Sequence, residues 1–143
     1  YNSSSSPTMT NVTATATGGT FSYGVYNNSS SPTMNNVTAT ATDGTNNYGV
    51  INQSLSSPSM NNVTATATGG ASNFGVYNDS SSPTIRNSSI TGTTNSIVNN
   101  GSTAQVADTA LGGGNVVGGG FTCVGAYTTA FVALGDDCAP GVS

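Results

Sequence analysis

Wherever the chain has a clear pattern, apolar and polar residues alternate with a period of two. In Val12-Thr13-Ala14-Thr15-Ala16-Thr17 every second residue is apolar. That predicts a strand with Val12, Ala14 and Ala16 on an inner face and the threonines on an outer one. The hexad returns at 37–42 and 63–68. Ahead of it Met9, Met34, Met60 and Ile85 share one phase and are expected to stack inside. A second phrase follows each hexad: Tyr23-Gly24-Val25-Tyr26-Asn27, then Tyr48 to Asn52, then Phe74 to Asn78. Val25, Val50 and Val76 form a second expected interior stack. Tyr23, Tyr48 and Phe74 share their parity and are expected inside too. Tyr1, Tyr26, Ile51 and Tyr77 fall on the opposite face, as an outer stripe. Helix is disfavoured, because Thr and Val are poor helix formers, Gly and Pro recur, and no 3.6-residue apolar period appears.

Pro7, Pro32, Pro58 and Pro83 mark the beat, at steps of 25, 26 and 25 residues by subtraction. A fixed period of this size signals a repeat array in which each unit buries its core only against its neighbours. Each coil is expected to hold three short strands, near 8–10, 12–17 and 23–26 in the first. Asn11, Asn36, Asn62 and Asn87 recur at one bend, and Asn2, Asn27, Asn52 and Asn78 at another. Asn tolerates the left-handed backbone of a sharp corner, and its amide can bond the copies above and below. Gly18-Gly19, Asp43-Gly44 and Gly69-Gly70 open a third, longer turn.

The repeats decay after residue 88. Ile90 and Gly92 stand where alanines stood, and Ile97-Val98-Asn99 echoes Val25-Tyr26-Asn27. A fifth coil is read at 104–111, with Val106 in the Met slot and Asp108 in the Asn slot. The reading is thus all-β: about five solenoid coils over 1–111 and a Gly-rich C-terminal cap over 112–143. Cys123 and Cys138, an even pair beyond the repeats, suggest one disulfide closing that cap.

Composition sharpens this picture. Charged residues are 4% of the 143, with Arg86 the single base, no His and no Glu. The lack of charge suits stacked coils: like charges about 4.8 Å apart repel by roughly 0.9 kcal/mol even in water, and a repeated Lys or Glu meets that cost at every rung. A net charge of -4 with a single base leaves no set of cations to neutralise phosphates, which excludes a nucleic-acid groove. No apolar run is long enough to span a bilayer. Tyr1-Asn2 matches the end of the second phrase, so the sequence opens inside a repeat. It reads as a processed or partial chain, whose missing signal peptide does not argue against secretion.

The SSPTM and YGVYN phrases resemble the right-handed parallel β-helix repeats of the pectin-lyase-like superfamily, over roughly the first two-thirds of the chain. The tail, with Cys123-Val124-Gly125-Ala126-Tyr127, is similar to the ends of secreted bacterial repeat proteins of this kind. The resemblance implies a right-handed β-helix. Its enzymatic members cleave polysaccharides with clustered Asp residues, often beside Arg, Lys, His or calcium. This chain departs from that pattern. Asp43 and Asp79 lie at different corners of different coils, and Asp108 occupies a ladder slot. The paired carboxylates that glycosidic cleavage needs are missing. No catalytic residue, cofactor or metal site is therefore expected. Asp136-Asp137, the one acidic pair, reads as solvated rather than as a calcium site. Arg86 reads as an outward surface group, and the Gly triplets as turns, since they lack a phosphate-loop pattern. The Ser29–Ser31 corner reads as exposed.

Two functions fit the sequence. One is a non-catalytic extracellular structural protein, a filament subunit stacking head-to-tail on copies of itself through open strand edges. The other is an adhesin or surface-stalk module that holds glycans on the stripe of Tyr1, Tyr26 and Tyr77.

Overall fold

The computed structural model describes residues 1–139; the last four residues of the expected cap lie outside them. The strands, in chain order, are β1 (Asn2–Ser3), β2 (Thr8–Thr10), β3 (Thr13–Thr17), β4 (Phe21–Asn28), β5 (Thr33–Thr42), β6 (Asn46–Gln53) and β7 (Ser59–Thr68). There follow β8 (Ser72–Asp79), β9 (Thr84–Arg86), β10 (Ser89–Asn100), β11 (Ala104–Ala107), β12 (Ala110–Gly118), β13 (Phe121–Val124) and β14 (Tyr127–Thr128). No helix occurs among the described residues. Every strand pairs in parallel with its copy one coil away, so the protein is a β-solenoid.

Three walls enclose the core. The first carries the Met slot, where Met9, Met34, Met60, Ile85, Val106 and finally Cys123 stand in register. The second carries Ala14, Ala39, Ala65, Ile90 and Leu111 in register. The third carries Val25, Val50, Val76, Ile97 and Val116. In the inner coils these side chains are almost wholly shielded: Met34, Val50, Ala65 and Val76 are 0–1% exposed. The hydrophobic effect of burying each Met or Val is of order 1.5–3 kcal/mol. On two of the coils the first and second strands join into the single strands β5 and β7, which pass through the corner at Asn36 and Asn62. Those corner residues, with Asn11 and Asn87, take left-handed φ values of 48–55°.

One expected stack lies elsewhere. Tyr23, Tyr48 and Phe74 are half-exposed on the outer face, beside Tyr26 and Tyr77. The alternation slips because Gly24 and Val25 both turn inward. A side chain on Gly24 would run into the backbone of Ala39 and Thr40 on the opposite wall, and Gly49 and Gly75 repeat that closeness. Two successive inward residues shift Tyr23 to the outside. Ile51, expected exposed, is 4% exposed, because Tyr26 and Tyr77 flank it in the ladder. The Ser29–Ser31 corner is likewise only partly open. Ser30 is 2% exposed, bonds the Asn28 carbonyl through its hydroxyl and donates its N–H to Ser56 Oγ.

Parallel pairing continues beyond residue 111: β12 runs through Gly118 beside β10, and β13 and β14 pair with β11 and β12. The tail then folds back over the last coil. Tyr127 bridges Ala133 in antiparallel fashion, Leu134 N–H donates to the Ala126 carbonyl, and Cys123 N–H donates to that of Asp136. The Cys123–Cys138 disulfide closes this segment over the last rung of the Met slot. A closed loop of about 15 residues contributes roughly 3 kcal/mol by the chain-entropy account.

Candidate functional site

Ladders of polar side chains run the length of the solenoid. In the buried one, Asn2 Nδ2 donates to Asn27 Oδ1, Asn27 to Asn52, Asn52 to Asn78 and Asn78 to Asn99, at 2.8–2.9 Å. Asn27, Asn52 and Asn78 are 0% exposed, so each amide depends on its copies for partners. The outer ladder at the left-handed corner is shorter. Asn36 donates to Asn11 and Asn62 donates to Asn36, but Asn87 turns aside to Asn61 Oδ1. A further set escaped the sequence reading. Asn47 and Asn73 are buried and clamp the glycine turn from within: Asn47 Oδ1 accepts from Gly44 N–H, and its Nδ2 donates to the Gly44 carbonyl and to Asn73 Oδ1. Ser22 holds the same place one coil earlier, bonded to the Gly18 carbonyl. The signal was the shared position of Ser22, Asn47 and Asn73, three residues before each inward Val.

The aromatic face forms a second ladder. Tyr23, Tyr48 and Phe74 stack with ring centroids 5.4 and 5.0 Å apart. Tyr26 stacks on Tyr23, Tyr77 meets Tyr48 and Phe74 edge-on, and Tyr1 meets Tyr26 edge-on. This packing turns the inner ring faces toward one another, whereas a sugar ring lies flat on an aromatic face. The face is a packed outer layer of half-exposed rings, with Tyr1 77% exposed at its end. Burial, and then the neighbouring phenols, raise the Tyr23, Tyr26 and Tyr48 hydroxyls above their ordinary value.

That shift gives a test. Tyr48 is raised by burial first and then by Tyr23 and Tyr77. The folded state therefore holds the phenol proton more tightly than the unfolded chain does. The stability tied to neutral Tyr48 is present in full below about pH 10 and is lost as pH rises through the folded-state value. Tyr48→Phe, which puts into this coil the ring that Phe74 supplies in the next, is expected to move the alkaline unfolding midpoint upward. An unchanged midpoint would show that Tyr48 ionisation does not limit alkaline stability.

The acids stay apart. Asp43 sits in the exposed glycine turn, Asp79 accepts from Asn100 Nδ2 on the outer face, and Asp108 is exposed at the corner. Asp137 turns its carboxylate back to Ala139 N–H, and Asp136 is exposed beside it. Arg86 is exposed. Among the described residues no three His, Cys, Asp or Glu side chains group to hold a metal, and no helix is long and apolar enough to cross a membrane.

Two concave regions stand out among the described residues. A cleft of about 690 Å³ opens at the end of the solenoid, between β12 and the tail residues Leu134 and Cys138. A groove of about 520 Å³ lies on the outer corner, where Asn62, Asn87 and Asp108 face the turn that carries Tyr127 and Phe131. No family model, curated protein or solved structure matches the chain. What the structure shares with the resembled superfamily is the parallel β-solenoid itself.

Proposed function

We propose that this chain is a non-catalytic structural protein of the cell exterior, and that its solenoid lengthens head-to-tail by stacking on further copies. The supporting observation is where apolar surface stays uncovered. Met9, Val12, Ala14 and Ala16 in the first coil are half-exposed, while Met34, Val37, Ala39 and Ala41 directly above them are 0–1% exposed. Of the large exposed apolar side chains, Tyr1 and Phe21 lie on the first coil, Val117 and Val124 on the last and Val132 on the tail turn; Leu55 sits on a corner midway and Phe131 on the outer corner. Apart from the aromatic ladder through Tyr23, Tyr48 and Phe74, the flanks are clothed in Thr, Ser and Asn. The outer edge of β12 from Asn115 to Gly118 carries no further strand among the described residues. Coil-on-coil stacking is what shields the core side chains of the inner coils, the outer edge of β12 offers the same kind of contact, and repeated along the axis such a contact does not close.

The disulfide and the scarcity of charge support a secreted setting, where thiols oxidise. By the likeness of its SSPTM and YGVYN phrases, we place the chain with non-catalytic right-handed β-helix repeat proteins.

Negative-stain microscopy with light scattering over a concentration series tests the reading. Rods that lengthen with concentration are expected. Val12→Lys puts a charge into the open first coil while sparing the inner coils. It is expected to leave a folded monomer. A wild-type chain that stays monomeric at every concentration overturns the proposal.

A further inference from the structure

The corner groove has a chemistry that the assembly reading does not use. One of its walls is the upper part of the outer Asx ladder. Asn11 and Asn36 each receive a ladder bond on Oδ1, but Asn87 donates to Asn61, so Asn62 Oδ1 receives none from the rung above. The next rung is Asp108, a carboxylate that at neutral pH has only oxygens to offer. Its side chain lies over Gly125, where an added Cβ would come 2.6 Å from Asp108 Oδ1. The regular ladder of paired amides thus gives way, at the groove, to a run of acceptors.

The facing wall is aromatic. The Tyr127 and Phe131 rings lie parallel, 5.8 Å apart and 8° from coplanar. Tyr127 is half-buried, whereas Phe131 is 85% exposed. Phe131 also sits at φ 60°, in the left-handed region that a bulky side chain rarely adopts. The turn is held by the Phe131 N–H bond to the Thr128 carbonyl. Glycine would satisfy that backbone with less strain. The exposed Leu55 shares this conformation at φ 65°, but only Phe131 carries a ring, stacked on Tyr127, to the border of a groove, and strain at a residue that lines a groove points to a functional site.

We propose that this groove binds a neutral saccharide: a pyranose packs on the outer face of Phe131 and donates its hydroxyls to Asp108 and Asn62. Aromatic faces pair with the C–H face of sugars, and acceptor groups orient the hydroxyls. The volume falls in the ~300–1,000 Å³ range of small-molecule sites, and the groove is open along one side, so a chain end or a segment of a longer glycan fits it. Asp108 and a net charge of -4 repel uronates and sulfated sugars. The site lies on the flank, apart from the Tyr23–Tyr48–Phe74 ladder, and does not depend on head-to-tail assembly.

Calorimetry with a panel of soluble tetrasaccharides (cello-, chito-, malto- and manno-) and with an oligogalacturonate tests it. At least one neutral tetrasaccharide is expected to bind, and the galacturonate to bind more weakly. Phe131→Gly is expected to weaken binding at least about tenfold, with the melting temperature unchanged or raised. Asp108→Ala should weaken it comparably, while Tyr26→Phe leaves it unchanged. The proposal is overturned if no neutral tetrasaccharide binds at millimolar concentration, if the galacturonate binds best, or if Phe131→Gly keeps wild-type affinity.

Discussion

Asn52→Asp should lower stability at neutral pH by about 4 kcal/mol or more, and most of the loss should return in acid. Asn52 is 0% exposed, accepts from Asn27 Nδ2 and donates to Asn78 Oδ1. An ionised aspartate still accepts from Asn27, but it has no proton for Asn78 and sets two buried oxygens against each other. It also carries a charge into a core that offers no cation. Protonation removes the charge and restores a donor in the same place. The folded state therefore raises the carboxyl pKa above the unfolded value of about 4. The stability of the variant is present in full below that value and is lost as pH rises through the folded-state pKa, the reverse of the usual behaviour of a native carboxylate. Urea midpoints measured near pH 3 and pH 7 check this. Asn62→Asp is the control, because Asn62 is exposed and its carboxylate is hydrated; less than about 1 kcal/mol is expected there. Equal losses at the two sites, or no pH dependence at Asn52, would show that the inner ladder is not the closed chain of amide bonds described.

This contrast between two asparagine series shows where the sequence was legible and where it was not. Period, phase and strand content follow from alternation and spacing. The registers Met9–Met34–Met60–Ile85 and Val25–Val50–Val76 are those the repeats imply. Both Asn series were visible as corner residues. What separates them is burial: one ladder lies at 0% exposure and the other in water. Alternation alone cannot supply that, because a corner resets which way the next side chain points. The same limit hid the position of Tyr23. Parity counted from Val25 places it inside, but two consecutive inward residues, Gly24 and Val25, break the count. A glycine inside a strand is the available sign of such a break. The groove at Asp108 could not be foreseen at all, since Asn62 and Phe131 meet across it only once the tail folds back.

Gly49→Ala should cost about 3 kcal/mol or more, at or beyond the upper end of ordinary overpacking. An added Cβ would lie 2.6 Å from the Gly75 carbonyl oxygen, 2.8 Å from Thr66 N and 3.0 Å from the Ala65 carbonyl carbon. These are backbone atoms of the next coil and of the opposite wall, fixed by ladder bonds on both sides, so no rotamer change relieves the clash. The geometry also explains a choice in the sequence. The second wall carries Ala39, Ala41, Ala65 and Ala67, not valines, because the third wall lies against it with glycine backbone at Gly24 and Gly49. The core is thin there and wide at the Met slot, and small residues on both walls are what allow the coil to close. Since a solenoid is stabilised by contacts between neighbouring coils, a wedge in the middle weakens the coils on either side as well. Thermal unfolding of Gly49→Ala is expected to be lowered and broadened. Gly119→Ala, at a position with no neighbouring atom within 4 Å, is expected to stay within about 0.5 kcal/mol of the parent. A Gly49→Ala variant as stable as Gly119→Ala would mean that the two walls stand further apart than described, and that the alanines are small for some other reason.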